Sequence, residues 1–395
     1  MIKRDLDKTA NIAMQLASLS LAGKKLEQIP YSDKDLEAVF EYVKISGISA
    51  ITFMALEDAL DVIDENSYMF DWKKLRLNSI RRNLLFDQER NAITNFFEQN
   101  GIWYLPLKGS VIKDMYPNPE MREMNDNDIL IDLDGREKAK EFMLERGYEL
   151  KPNDKGEFDD KGNSDEYIKK PFFYFELHKF LIEERYSPEQ DKYFRHIKDR
   201  LIKDADQAFA YHMTDEDFYL YMLCHAHKHF SRNGMGIRFL MDEYVFLKEK
   251  GETLDNDYIN KKISEFGLEQ FDKDLRKVSH MAFDLDKDYN ESELSDSEKA
   301  LYDSCLGAGI FGNIETRWKN EAYEMNARST DAITKKEYIK NRLFPDENWY
   351  RMYHPFVHKH KIVKPFFTVY RLTVLAFRGR KNVKKEIDQV GEKDA

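Results

Sequence analysis

Cysteine is nearly missing from the chain: Cys224 and Cys305 stand far apart, without metal-ligand spacing. That excludes a disulfide framework and a cysteine-built zinc site, and it suits a reducing cytosol. Positive charge is also short, with a formal net charge of −11. A protein that coats nucleic acid through bulk charge is therefore excluded, although a local basic patch is not. No apolar run approaches the length needed to cross a bilayer. The opening residues, MIKRDLDKTANIAMQ, carry acids where a signal peptide needs an apolar stretch, so the expectation is a soluble cytoplasmic protein. Internal repeats and low-complexity linkers are absent too, so the structural units are expected to pack closely. What is present is ample apolar material, 42% hydrophobic and 13% aromatic, enough for a packed core and too much for global disorder. At 395 residues the chain should hold two or three structural units.

Residues 1–100 read as helical, with Ser32-Asp33-Lys34-Asp35 as a helix start. An uninterrupted helix without Pro or Gly runs from residue 71 to 99 and stops at Asn100-Gly101. The texture then changes. Residues 102–107 and 129–131 are short apolar runs expected to be strands, with a helix over 109–117 and another over 135–146. Residues 151–166 are polar and rich in Gly and Asp, as in a loop or hairpin tip. Residues 172–180, FFYFELHKF, predict a central strand. Helices return from about 190, with a capping segment at Thr214 before FYLYMLCHAHKHF and an amphipathic IRFLMDEYVFLKEK, and continue to about 340. The expected class is α+β: a helical region at 1–100, a small mixed-sheet core at 101–182, and a helical region with a basic tail at 183–395.

The stretch YLPLKGSVIKDMYPNPEMREMNDNDILID, from Tyr104 to Asp132, organises the chemistry. Successive strand side chains point to opposite faces, so Asp126 and Asp128 share one face and can hold a divalent cation together. On the aromatic strand, Glu176 and His178 share a face, and Glu176 would supply a third carboxylate. Three carboxylates around Mg²⁺ or Mn²⁺ suit in-line phosphoryl or nucleotidyl transfer. Gly109 lets a phosphate approach the backbone at a helix N-terminus, and Ser110 can bond a phosphate oxygen. Lys108 and Arg122 would neutralise phosphate charge. The rival pair Asp132 and Asp134 is followed by Gly135 and reads as a turn and helix cap.

This ordered set resembles the nucleotidyltransferase superfamily that includes DNA polymerase beta and the aminoglycoside nucleotidyltransferases. More narrowly, it is similar to an uncharacterised bacterial nucleotidyltransferase-like family with a Lys-Gly turn, a Tyr-Pro turn, an Arg and an Asp-x-Asp strand. FELHKF, HAHKHF followed by Asp242, and LFPDENWYRMYHPF with Tyr370-Arg371 extend the resemblance over about residues 85–380. It implies metal ligation by Asp126 and Asp128, Glu176 as third acid or base, and nucleotide phosphates at Gly109 and Ser110. One position departs from the pattern: Asn127 stands where a core-facing apolar residue is expected.

His225 and His229 lie four apart on one helical face. A zincin-type site would need Glu after the first histidine, where Ala226 stands, so the pair reads as lining a cleft or packing near Asp242. His227 points elsewhere and is expected to be exposed. The C-terminal stretch 356–385 holds no acid and interleaves basic with apolar residues, as a helix on an anionic membrane or on RNA would. The sequence thus points to transfer of a nucleotidyl group from an NTP to an acceptor hydroxyl on a small molecule, protein or RNA. Two alternatives stay open: a catalytically silent nucleotide-binding protein of the same fold, and a toxin-like tRNA-modifying enzyme hinted at only by the basic tail.

Overall fold

The computed structural model describes residues 2–60, 63–152, 162–232, 234–285, 293–307, 309, 340–341 and 343–377. Four helices come first: Ile2–Leu21, Asp33–Ser46, Ser49–Leu56 and Tyr68–Asn100. Local chemistry sets their ends. The Ser32 hydroxyl accepts from the Asp35 amide, and Ser67 does the same for Phe70. Gly101, at φ 69°, closes the long helix in the left-handed region that glycine enters without strain.

Five strands form one mixed sheet: β1 (Tyr104–Leu107), β2 (Asn127–Ile131), β3 (Glu149–Leu150), β4 (Ser164–Lys169) and β5 (Phe173–His178), in the order β1-β2-β5-β4-β3. The aromatic strand is central, as the sequence predicts. β2 and β5 run parallel with Asp128 opposite Glu176, and β4 lies antiparallel to β5 with Glu166 opposite Glu176. Strand β4 begins inside the stretch read as a loop. SDEYIK has little apolar content, and its pairing is supplied by β5 rather than by its own pattern. Residues 153–161 of that stretch lie outside the described residues. The helix expected over 109–117 is one α-turn, Gly109–Ile112, followed by a 3-10 turn, Lys113–Met115.

The sheet has two different faces. Tyr104, Ile129, Ile131, Tyr167, Phe175 and Leu177 pack with Phe86, Ile93 and Phe97 of the Tyr68–Asn100 helix. Leu105, Leu107 and Leu130 point the other way, into an apolar cluster shared by N-terminal and C-terminal helices. Helices Asp215–Phe230, Ile237–Lys250, Asn256–Phe266, Glu269–Phe283 and Asp296–Gly307 build that second cluster. Ser18 donates to the Ala282 carbonyl and Tyr42 to the Leu306 carbonyl, tying the first helices to the later ones. Cys224 and Cys305 are buried, and burial pushes both thiols up. Three short helices follow, Glu347–Tyr353, Pro355–Lys359 and Lys364–Phe377. The helical run expected over 310–339 and the basic end from 378 onward lie outside the described residues. Among the described residues no helix is long and apolar enough to cross a membrane.

Candidate active site

A cleft of ≈ 340 Å³ opens where the end of the sheet meets the Asp215–Phe230 and Ile237–Lys250 helices. Its floor is acidic. Strand alternation turns Asp128 of β2 and Glu176 and His178 of β5 to one face, and the parallel register brings them side by side. The three offer ligand atoms within 4.8 Å of one another. His178 Nε2 lies 2.8 Å from Asp128 Oδ1 and 3.3 Å from Glu176 Oε2, and its Nδ1 is 3.3 Å from the Asn163 amide nitrogen. Asp126 lines the same cleft but is outside this group of three.

Lys108 sits at the centre of the electrostatics. Its ammonium donates to Asp128 Oδ1 at 2.5 Å. Its backbone, at φ 49° and ψ −123°, is the one left-handed non-glycine conformation among the described residues. Strain of that kind costs about 1–3 kcal/mol and collects at functional sites, where the surroundings enforce it. Burial works against ionising Asp128, but Lys108 and then His178 outweigh it and hold the carboxyl well below its usual range. Asp126 goes the other way: burial, then the charge of Asp128, push it up to about 6. Burial opposes charging His178, yet its bonds to Asp128 and Glu176 raise its pKa.

The opposite wall is basic and aromatic. His225 and His229 stack edge to face, centroids 4.5 Å apart, and both pack against the Phe239 ring. Burial drives both imidazoles toward the neutral form, His229 to about 3. Lys228 and Arg238 line the cleft beside them, and burial followed by the Lys108 charge brings Lys228 down to about 8. The two histidines thus line the cleft, as one sequence reading has it, and join no third ligand among the described residues. His227, expected to be exposed, is half-buried edge-on against Phe271, because the helix packs on two sides.

Gly109, Arg122 and Asp242 also line the cleft, and they carry structural contacts there as well. Arg122 is clamped to Asp242, Nε to Oδ1 and Nη2 to Oδ2 both at 2.9 Å, and Tyr116 donates to the same carboxylate at 2.7 Å. Gly109 lies under that clamp: a Cβ there would stand 2.4 Å from Arg122 Nη1. Ser110 is buried and donates to the Leu107 carbonyl, which stabilises the turn. Asn127 points to the sheet's other face, fully buried, and accepts from Arg90 at 2.9 Å. Glu166, Ser164, Lys228 and Arg238 also line the cleft and escape the sequence reading. A β4 strand assigned in advance would have flagged Ser164 and Glu166. The i, i+3 spacing of Lys228 after His225 would have flagged the lysine.

An acidic strand pair on a mixed sheet is thus faced across a cleft by cationic and aromatic helix residues. The chain belongs to the family described as uncharacterised nucleotidyltransferase, which matches residues 32–282. Neither a curated protein nor a solved structure matches the chain.

Proposed function

We propose that the cleft transfers a nucleotidyl group from an NTP, bound with Mg²⁺ or Mn²⁺, to an acceptor hydroxyl. One observation carries the reading: the in-register placement of Asp128, Glu176 and His178 beside Asp126, opposite Lys228 and Arg238. The donor set fits a divalent cation, since the carboxylate oxygens of Asp128 and Glu176 suit Mg²⁺ and Mn²⁺ alike. Asp126, pushed up to about 6 by burial and by the Asp128 charge, is a carboxyl whose pKa a bound cation would lower. The metal, when bound, would polarise the phosphate and acidify the acceptor hydroxyl.

The chain's own residues supply the rest. Lys108, Lys228 and Arg238 offset triphosphate charge in a cleft where burial strengthens each interaction. Glu176 is half-buried and accepts from Ser164 at 3.4 Å, which places a carboxylate able to receive the acceptor proton. Phe239, packed beside two largely neutral histidines, offers a flat apolar surface for a base. Incubation of the chain with each α-labelled NTP and Mg²⁺ or Mn²⁺, followed by a search for labelled acceptor, tests the reading. Asp126→Asn and Asp128→Asn should each lower transfer at least about a hundredfold. Unchanged turnover in both variants would falsify it.

A second reading, a silent nucleotide-binding protein, draws on the Lys108 ammonium already seated on Asp128. Calorimetry combined with the labelled assay separates the two, because a silent protein binds Mg-NTP and turns none over.

A further inference from the structure

The helix Lys364–Phe377 is amphipathic with its faces reversed. Exposure follows the helical period: Phe366, Val369 and Tyr370 are 75%, 67% and 64% exposed, while Lys364, Phe367, Thr368 and Arg371 turn inward. The inward polar groups are fully engaged. Arg371 lies 4.6 Å over the Trp349 ring and donates to the Leu343 carbonyl at 2.8 Å. Thr368 meets the Tyr350 hydroxyl at 3.0 Å, and Lys364 bonds Glu347 at 2.6 Å while covering the Tyr350 ring. A helix packed on protein in water normally shows the opposite order. Ile362, in the turn just before, is 85% exposed, and Lys359 and Lys361 beside it are exposed as well.

We propose that this helix lies on an anionic lipid bilayer, with Ile362, Phe366, Val369 and Tyr370 at the acyl boundary and Lys359 and Lys361 among the headgroups. Charge complementarity selects the partner. Residues 356–385 contain nine Lys and Arg and no acid, within a chain whose formal net charge is −11. Such a segment is drawn to an anionic surface while the rest of the molecule is repelled, so it approaches helix first. Aliphatic Ile362 and Val369 suit acyl chains and offer no plane for stacking an RNA base. A second copy would bring the same positive charge against this face. The helix is too short and too polar to span a membrane, so the contact is peripheral. The proposal stands apart from the chemistry of the cleft.

Flotation of the full-length chain with phosphatidylcholine vesicles, with and without phosphatidylglycerol, tests it. The wild type should float with the anionic vesicles and at least tenfold less with phosphatidylcholine alone. Phe366→Ser/Tyr370→Ser should lose tenfold or more with an unchanged melting curve. Lys359→Glu/Lys361→Glu should lose at least as much, since each basic residue near such a surface is worth roughly a factor of five. If the double serine variant fails to fold, Val369→Ser alone should show a smaller loss of about threefold. Absence of flotation, or equal flotation of the folded variants, overturns the proposal. Retention on poly(U) with none on vesicles also overturns it, in favour of RNA. So does a dimer that the serine variant dissociates, in favour of a second copy.

Discussion

Replacing Asp242 by Asn should be among the most damaging single changes outside the apolar core. The carboxylate accepts two bonds from Arg122 and one from Tyr116, and Arg122 and Asp242 keep only 13% and 12% of their side chains in solvent. The isosteric amide keeps the volume but removes the charge, and its NH₂ must face one of the Arg122 donors. A cation buried without its partner costs about 3–5 kcal/mol. Against a total stability on the order of 5–15 kcal/mol, that is a large fraction. Urea denaturation, followed by tryptophan fluorescence, measures it. Tyr116→Phe, which removes one bond to a charged group, should cost about 1.5–3 kcal/mol. The double variant Arg122→Leu/Asp242→Leu should recover most of the loss, because apolar side chains need no partner. A loss below about 1 kcal/mol for Asp242→Asn would refute the reasoning. So would a double variant as unstable as the single one.

Three further outcomes follow from the same geometry. Gly109→Ala forces a methyl against a guanidinium that Asp242 pins, so it should destabilise by about 1–3 kcal/mol, and by clearly less in the Asp242→Asn background. Asn127→Leu should cost about 1–2 kcal/mol by taking the acceptor from Arg90 Nη1, while Nη2 keeps Asp87 at 2.6 Å, yet leave Mn²⁺ affinity by calorimetry within about twofold, since Asn127 faces away from the cleft. Glu243 is pushed up to about 8 by burial, with Asp272 adding to it and Arg276 opposing it. Its folded pKa lies above its unfolded one, so stability contributed by its protonated form is complete below about pH 4.5. That contribution falls as pH rises, by up to about 1.4 kcal/mol per unit, and levels off above about 8. Glu243→Gln should flatten the fall, and denaturation midpoints from pH 5 to 8 that decline as steeply as in the wild type would count against it.

Much of this was legible in the residues, where local rules decide. The aromatic run predicts β5 and its centrality because only a fully covered strand is so apolar on one face. Glycine after Asn100 predicts the end of the long helix because a single residue's conformation decides it. Asp128, Glu176 and His178 are foreseen as face-sharing residues because alternation is a property of the strand itself. What was not legible depends on partners distant in the chain. The Arg122 clamp needs Asp242 from another helix, so the arginine looked free for phosphate. Gly109 reads as a phosphate turn, and its closeness to that same arginine was not visible in the sequence. β4 hides because its stability is borrowed from β5. Asn127 looked like a flaw in the strand until Arg90, on the opposite face, supplied its partner.

The parallel pairing of β2 and β5 also sets when the acidic floor comes into being. Parallel neighbours cannot be closed by a tight turn, so the long crossover that carries β3 and β4 has to close for Asp128 to meet Glu176. Until then the two carboxylates are dilute with respect to each other, and Lys108 has no concentrated negative charge to answer. The negative centre is therefore a product of contacts distant in the chain, and it is lost together with the sheet on unfolding. Any ligand that needs this centre will read the finished molecule and ignore its precursors.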